Sequence, residues 1–396
     1  MRLVHLADLH LGYRQFHRLT SSGLNQREAD VAGTFTRALD QVIALAPEVI
    51  VIAGDVFHSV RPANPVIIHA FSQFARLRDA LPETQIVMIG GNHDQPRSTE
   101  TGCILGLFRR LQFHVVHGAP EALRFPELDL EILAVPDRSG ALPALVPTTP
   151  SRYRVLVLHG YLDDVLDQRH ETSTLHLTST DLHPDRWTYV ALGHYHVHTR
   201  VTDNAYYSGS LEYTSINPWR DLQDEKERRI PGKGFIEVDL DEDPARAPPV
   251  FHHVPTQRRL IDIPPISAVG LSASELMSAI ERAVGKVKGG IRDAVARLVI
   301  FDTPRGLMRE LDPARLRELK QQALFLRIDA RAPEPRRVSY SGASGRRPTL
   351  SETVRSYLEE RPLDPTIPRA DLIALGVHYL DAAAGAAEPG PPAEVA

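Results

Sequence analysis

Met88–Pro96 reads MIGGNHDQP. An apolar run that begins at Gln85, QIVMIG, stops at two glycines and gives way to an amide, an imidazole and a carboxylate: Asn92, His93 and Asp94. Asn and Asp favour turns and glycine permits positive φ, so the stretch alone describes a polar surface turn as well as it describes a site. The decision rests on whether other apolar runs end the same way.

They do. RLVHLA (Arg2–Ala7) runs into Asp8-Leu9-His10, and EVIVIAG (Glu48–Gly54) runs into Asp55 with His58 three residues on. RVLVLHG (Arg154–Gly160) delivers His159, and TYVALGHYH (Thr188–His196) delivers His194 and His196. Short β-branched runs bounded by turn residues read as buried strands. Between the first of them, ADVAGTFTRALDQVIALA carries Val31, Phe35, Leu39, Val42 and Ala46 at helical spacing. PVIIHAFSQFARLRDAL reads as a second helix with Pro65 in its first turn, and TGCILGLFRRLQ as a shorter one. After Pro120 strands dominate: LEILAVP, RVLVLHG, TYVALGH, AYYSGS and GFIEVDL. The expected fold class is α/β, with two sheets packed face to face and the helices outside.

Strand ends gather at one edge of a sheet, where α/β proteins place their sites. Asp8, His10, Asp55, Asn92, His159, His194 and His196 can therefore converge. Seven donors are too many for one zinc, which takes about four. They suit two divalent cations sharing one carboxylate, and oxygen and nitrogen donors without thiolate favour Mn, Fe, Zn or Co over Ca. Two such cations about 3.5–4 Å apart clamp the attacking and leaving oxygens of an in-line phosphoryl displacement. The opening turn then has a purpose, with Asn92 as a neutral oxygen ligand and His93 facing the substrate. His198, two past His196, continues the same alternation and stands as an alternative to it. The remaining histidines, His5 among them, carry no assigned role.

The bulk numbers bound the rest. A chain of 396 residues predicts two or three domains. One cysteine, Cys103, allows no intrachain disulfide and fits a reducing compartment. MRLVHLADLH lacks the charged and apolar regions of a signal peptide, and no apolar run approaches the roughly 20 residues of a membrane span. These features predict a soluble cytoplasmic protein with no membrane association. With 45 basic and 50 acidic residues the net charge is −5, which is not the footprint of a basic nucleic-acid binder. A metal centre supplies its own positive charge, so nucleic acid stays open as a substrate.

From Leu260 the order RLIDIP, SASELMSAIERAVGKV, AVARLVIFD, DPARLRELKQQA, LFLRIDAR reads β-α-β-α-β, with Ser272 or Ser274 as the first N-cap. APEPRRVSYSGASGRRP reads as a linker, followed by helical segments over Leu350–Glu360 and Ala370–Ala384. The final stretch reads as disordered, and there is no internal repeat.

HLADLHLG, GDVFH, GNHD, LHG and LGHYH resemble the calcineurin-like metallophosphoesterase superfamily and, within it, the SbcD nucleases, catalytic subunits of the bacterial SbcCD complex. YSGSLEYTSINP (Tyr207–Pro218) and GKGFIEVDL (Gly232–Leu240) resemble that family's later blocks. The likeness is strong over residues 1–240 and one of layout only over 260–331. It implies a two-sheet αββα metallophosphoesterase sandwich as the nuclease domain over 1–255 and a small α/β capping, DNA-binding domain over 256–331. A linker over 332–349, partner-binding helices over 350–384 and a disordered tail over 385–396 complete the implied plan.

The resemblance implies two divalent metal ions, Mn2+ foremost. It puts Asp8, His10 and His196 on one, Asn92, His159 and His194 on the other, and Asp55 between them. It makes His93 the group at the leaving oxygen and His58 the group at the phosphate, with Asp94 orienting a ligand from behind. The implied activity is a Mn-dependent DNA nuclease, a 3'-5' exonuclease on double strands and an endonuclease on single-stranded or hairpin DNA. It would serve double-strand-break processing, recombination and replication, as a homodimer in a heterotetramer with an SbcC-type coiled-coil ABC ATPase. The helices over Pro65–Leu81 and Thr101–Gln112 are the expected dimer contact. Tyr213 follows Glu212 where a basic residue is common, so no DNA-backbone contact is expected there. A small-substrate phosphatase or cyclic-nucleotide phosphodiesterase of the same superfamily would share the metal core without needing 260–331. A catalytically silent scaffold would not need all seven donors.

Overall fold

Arg2–Leu6 (β1), Val49–Ala53 (β2), Gln85–Ile89 (β3) and His114–Val116 (β4) pair side by side and parallel. Parallel neighbours need crossover connections. These are α1 (Gln26–Leu45), α2 (Asn64–Ala80, with Pro65 in its first turn) and a 3-10 helix over Ile104–Leu111. The last lies within the shorter helix read over TGCILGLFRRLQ, and it is of the 3-10 type. Its apolar residues Leu105, Phe108 and Leu111 recur every three residues, which suits the three-residue turn of a 3-10 helix, and Leu105 and Phe108 are fully buried.

Glu121–Phe125 (β5), Leu130–Val135 (β6), Tyr153–His159 (β7), Tyr189–Gly193 (β8), Thr199–Arg200 (β9) and Ala205–Tyr207 (β10) make a second sheet in the order β9-β10-β8-β7-β6-β5. After α3 (Pro218–Arg228), strand β11 (Gly234–Asp239) returns to the first sheet antiparallel to β1, and β12 (Val250–His253) pairs antiparallel to β11 at the sheet edge. Successive side chains on a strand point to opposite faces. Leu3, Val49, Val51 and Val87 therefore pack between the sheets, against Ile132, Val155, Val157 and Tyr189. Val4, Ile50, Ile52 and Met88 face the other way, onto Phe35 and Leu39 of α1 and Phe74 and Leu77 of α2. The outer face of the second sheet, with Leu156, Leu158 and Val190, is covered by Leu145, Leu162, Leu182 and Trp187 from the connections. The result is a mixed α/β sandwich of two sheets.

A third, parallel sheet follows: β13 (Leu260–Ser267), β14 (Val295–Phe301) and β15 (Phe325–Ala330), joined by α4 (Ala273–Gly285) and α5 (Pro313–Gln321). Ser272, not Ser274, caps α4, in a reciprocal box with Glu275. This region has its own core of Ile263, Leu276, Ile280, Leu298 and Leu319. Arg258 ties it to α1 through both carboxylate oxygens of Asp30, and Phe16 stacks on Phe325 with centroids 4.1 Å apart.

This computed structural model describes residues 1–96, 102–137, 142, 144–166, 175–333, 349–361 and 368–385. The chain divides into two units, Met1–Pro333 and Glu334–Ala396. In the second, α6 (Leu350–Glu360), capped by Thr349 and Glu352, packs against α7 (Arg369–Gly385). Leu350, Tyr357, Leu375 and Tyr379 remain exposed. Most of the expected linker, and the expected tail from residue 386, lie outside the described residues. Among the described residues no helix is long and apolar enough to cross a membrane.

Candidate metal centre

The chain leaves β1, β2, β3, β7 and β8 at one edge of the sandwich, and the polar residues of the motifs follow at once. Four take backbone conformations that side-chain-bearing residues rarely adopt: Asp8 (φ 53°), His10 (45°), Asp55 (53°) and His194 (106°). Such residues persist only where the surroundings over-determine them. Here the loops lock each other, since Asp8 N–H donates to Gly54 O at 3.0 Å and His10 N–H to Asp55 O at 2.9 Å. The glycines of the motifs are room for the ligand-type side chains. A Cβ on Gly54 would sit 2.3 Å from His159 Nδ1, and one on Gly91 would sit 2.1 Å from Asp55 Oδ1.

Asp55 lies at the middle. Its Oδ2 is 3.6 Å from His10 Nε2 and 3.6 Å from His159 Nε2. On one side His10 Nε2 meets His196 Nε2 at 2.9 Å, and on the other Asn92 Oδ1 lies 3.1 Å from His159 Nε2 and 3.3 Å from His194 Nδ1. The carboxylate of Asp8 accepts the His194 backbone N–H at 3.0 and 3.1 Å, and Asp55 Oδ1 accepts that of His93 at 2.9 Å. Among the described residues, three groupings have ligand atoms close enough for a shared ion: Asp8–His10–His196, Asp8–Asp55–His159 and His10–His58–His93.

Outer partners set the ring orientations. His159 Nδ1 donates to Ala53 O at 2.8 Å, which leaves the Nε2 lone pair for a cation held between it, Asp55 and Asn92. His93 Nδ1 likewise donates to His58 O at 2.8 Å, and its ring stacks on that of His58 with centroids 5.0 Å apart. Asp94 accepts backbone N–H groups from Val56, Phe57 and Gly91 at 3.0, 3.0 and 3.1 Å. It thereby binds its own turn to the loop that carries Asp55.

The donor set fits divalent cations. Burial, with the neighbouring Asp55 carboxylate, pushes Asp8 up to about 7 against the opposing pull of His159. Burial and then the adjacent imidazoles hold His10 well below the ordinary histidine range; for His196, burial is followed by Lys233 and the other rings. Buried carboxylates beside neutral imidazoles, with nitrogen facing nitrogen at 2.9 Å, are a cluster that positive charge would relieve.

His198 does not join the cluster. β8 ends at Gly193, so the alternation stops there, and the His198 ring stacks between Tyr206 and Phe251. His5 is buried against the Tyr189 hydroxyl. Tyr213 is buried, its hydroxyl donating to Glu225 at 2.6 Å, so that position offers no surface contact. One further carboxylate has no place among the expected site residues. Asp137 follows β6, is 1% exposed, and its charge acts on His159. LAVPD ends as the other strands do, and the strand-end rule applied there would have found it.

This fold and site define a phosphoesterase. The family model for calcineurin-like phosphoesterases matches residues 1–225, and the chain belongs to that family. Among curated relatives, the DNA double-strand break repair protein Mre11 of Methanococcus maripaludis is 27% identical over 258 residues, covering 61% of this chain and 64% of the relative. That of Haloferax volcanii is 30% identical over 265 residues, covering 60% and 55%. The SbcD component of the nuclease SbcCD from Rhodobacter capsulatus is 28% identical over 150 residues, covering 38% and 35%. The chain thus spans less than two thirds of the length of these relatives.

Proposed function

We propose that the chain is a DNA nuclease that hydrolyses phosphodiester bonds with two divalent cations. The observation that carries this reading is Asp55 Oδ2, 3.6 Å from both His10 Nε2 and His159 Nε2, which divides the remaining donors into two groups. Asp8, His10 and His196 would hold one cation, Asn92, His159 and His194 the other, and Asp55 both. Bound there, two cations, Mn2+ foremost, lower the pKa of a water and neutralise charge building on the phosphate. The protein supplies the rest. His93, its Nδ1–H fixed on His58 O, would donate a proton to a leaving oxygen from Nε2 when the ring is doubly protonated. His58, beside it, faces the attacked phosphate. Asp94 holds the loops of Asp55 and His93 in register through three backbone N–H groups.

The names of the relatives support DNA as substrate and double-strand-break repair as the setting. On that footing we infer 3'-5' exonuclease action on double strands, endonuclease action on single-stranded or hairpin DNA, and work in the cytoplasm. The parallel sheet over Leu260–Ala330 would act as the capping, DNA-binding region. The helices over 350–384 would dock a coiled-coil ABC ATPase, and a homodimer would give a heterotetramer with it. The exposed Ile68 on α2 and the half-buried Ile104 and Leu107 of the 3-10 helix are apolar surface available for that dimer.

The test compares manganese-dependent cleavage of linear double-stranded DNA with that of a small chromogenic phosphodiester. Efficient DNA cleavage that chelation abolishes is expected. Turnover of the small ester with no action on DNA would instead favour a small-substrate phosphodiesterase.

A further inference from the structure

Two sequence blocks, YSGSLEYTSINP and GKGFIEVDL, contribute none of the side chains proposed above to hold cations. They meet behind His196. His196 Nδ1 lies 2.9 Å from Ser215 Oγ. Ser215 Oγ lies 2.9 and 2.8 Å from Asp221 Oδ1 and Oδ2. Asp221 Oδ2 lies 3.0 Å from Lys233 Nζ, which also donates to His196 O at 2.7 Å and pairs with Glu225 Oε1 at 3.1 Å. Lys233 is 1% exposed and lies over the ring of Tyr213, 4.6 Å from its centroid.

The chemistry of this chain has one solution. An ammonium only donates and a carboxylate only accepts. A serine hydroxyl has a single proton, and here the carboxylate of Asp221 takes it. Ser215 Oγ is left as an acceptor toward His196, so His196 Nδ1 must carry the ring proton. Nε2 then holds the lone pair, and Nε2 is the atom that faces His10. Lys233 holds the same residue a second time, through the backbone carbonyl.

We propose that Ser215, Asp221 and Lys233 are positioning residues that fix the tautomer and ring angle of His196 for one of the two cations. This rests on the two-cation reading above. Imidazole ligands are commonly held through their other nitrogen by a carboxylate, and loss of such a partner costs roughly 10- to 100-fold in metal affinity. Here the carboxylate acts through an interposed hydroxyl. The buried lysine serves the same end, holding the Asp221 carboxylate in place through Oδ2 at 3.0 Å. The arrangement explains why a lysine is buried on β11's approach and why α3 spends Asp221 and Glu225 on its inward face.

The experiment is Mn2+ titration of the cation-free full-length chain by calorimetry, for the wild type, Ser215→Ala, Ser215→Thr and Asp221→Asn, with melting of each cation-free protein. Two binding events in the wild type are expected. Ser215→Ala should weaken one of them roughly 10- to 100-fold with cation-free melting unchanged, since the side chain is small and only half-buried. Ser215→Thr, which keeps the hydroxyl, should restore it. Asp221→Asn should weaken the same event. A wild type that binds no Mn2+ would sink the two-cation reading itself. A wild type that binds two while Ser215→Ala binds both with unchanged affinity would overturn the relay alone.

Discussion

At the scale of single residues the site separates groups that would hold cations from groups that would act on the substrate, and substitution should separate them too. Asp8→Ala and His10→Ala each remove a donor from a loop edge without opening the core between the sheets. Both proteins should unfold cooperatively and lose hydrolysis, and retention of full manganese-dependent nuclease activity in either would contradict the proposed assignment. His93→Ala should behave differently. It keeps every proposed donor, so it should bind two cations by calorimetry yet lose about 10²–10⁴-fold in turnover, the usual worth of a general acid. If cation binding fell in step with turnover, His93 would be a ligand instead. Much of this was legible because each donor follows an apolar run and a glycine or a turn. The relay behind His196 was not, because its members are spread over Ser215, Asp221 and Lys233 and meet only after β11 returns to the first sheet.

At the scale of elements, hydrophobic pattern located the strands and long helices, and the β-α-β-α-β order after Leu260 is the order observed. The spacing of three over Leu105, Phe108 and Leu111 belongs to a 3-10 helix, a difference that a reading of apolar content alone does not register. Polar residues buried in strands are what pattern cannot explain. Glu131 on β6 is fully buried, and its carboxylate accepts the N–H and hydroxyl of both Thr148 and Thr149. These bonds outweigh burial and hold it below the ordinary glutamate range. Glu131→Gln should cost about 2 kcal/mol in urea unfolding, because hydrogen bonds to a buried charged acceptor are lost or turned to mismatched donors. His5 on β1 shifts the same way for the opposite reason, because burial favours its neutral form. Burial, and then the charge of His198, lowers it to about 3. The unfolded chain therefore takes its proton first, near pH 6.5. The stability contributed by the neutral ring is complete above that pH and is lost as pH falls from about 6.5 toward 3. His5→Phe should flatten the fall in melting temperature between about pH 6 and 4 relative to the wild type, and an identical slope in both would show that the ring does not titrate on unfolding.

At the scale of the whole molecule, the chain holds a phosphoesterase sandwich, an additional parallel sheet and a separate helical unit. Only the first is reached by the family model, which ends at residue 225, short of β11 and β12. A phosphoesterase acting on a small ester needs no such additions, which is the physical argument for a large substrate and a partner. In the helical unit Leu350, Val354, Tyr357 and Leu358 make an apolar stripe on α6 at helical spacing, and Leu350 and Tyr357 stay exposed with Leu375 and Tyr379 of α7. Two short helices packed on each other bury one side apiece and leave apolar surface for a further helical partner. A chain ended after Ser344 should therefore keep manganese-dependent cleavage of single-stranded DNA and lose co-purification with a coiled-coil ABC ATPase from the source cell. Unchanged ATPase binding by the shortened chain would move the docking surface to the sandwich or the Leu260–Ala330 sheet. Loss of cleavage together with binding would mean that the helices support the metal centre itself.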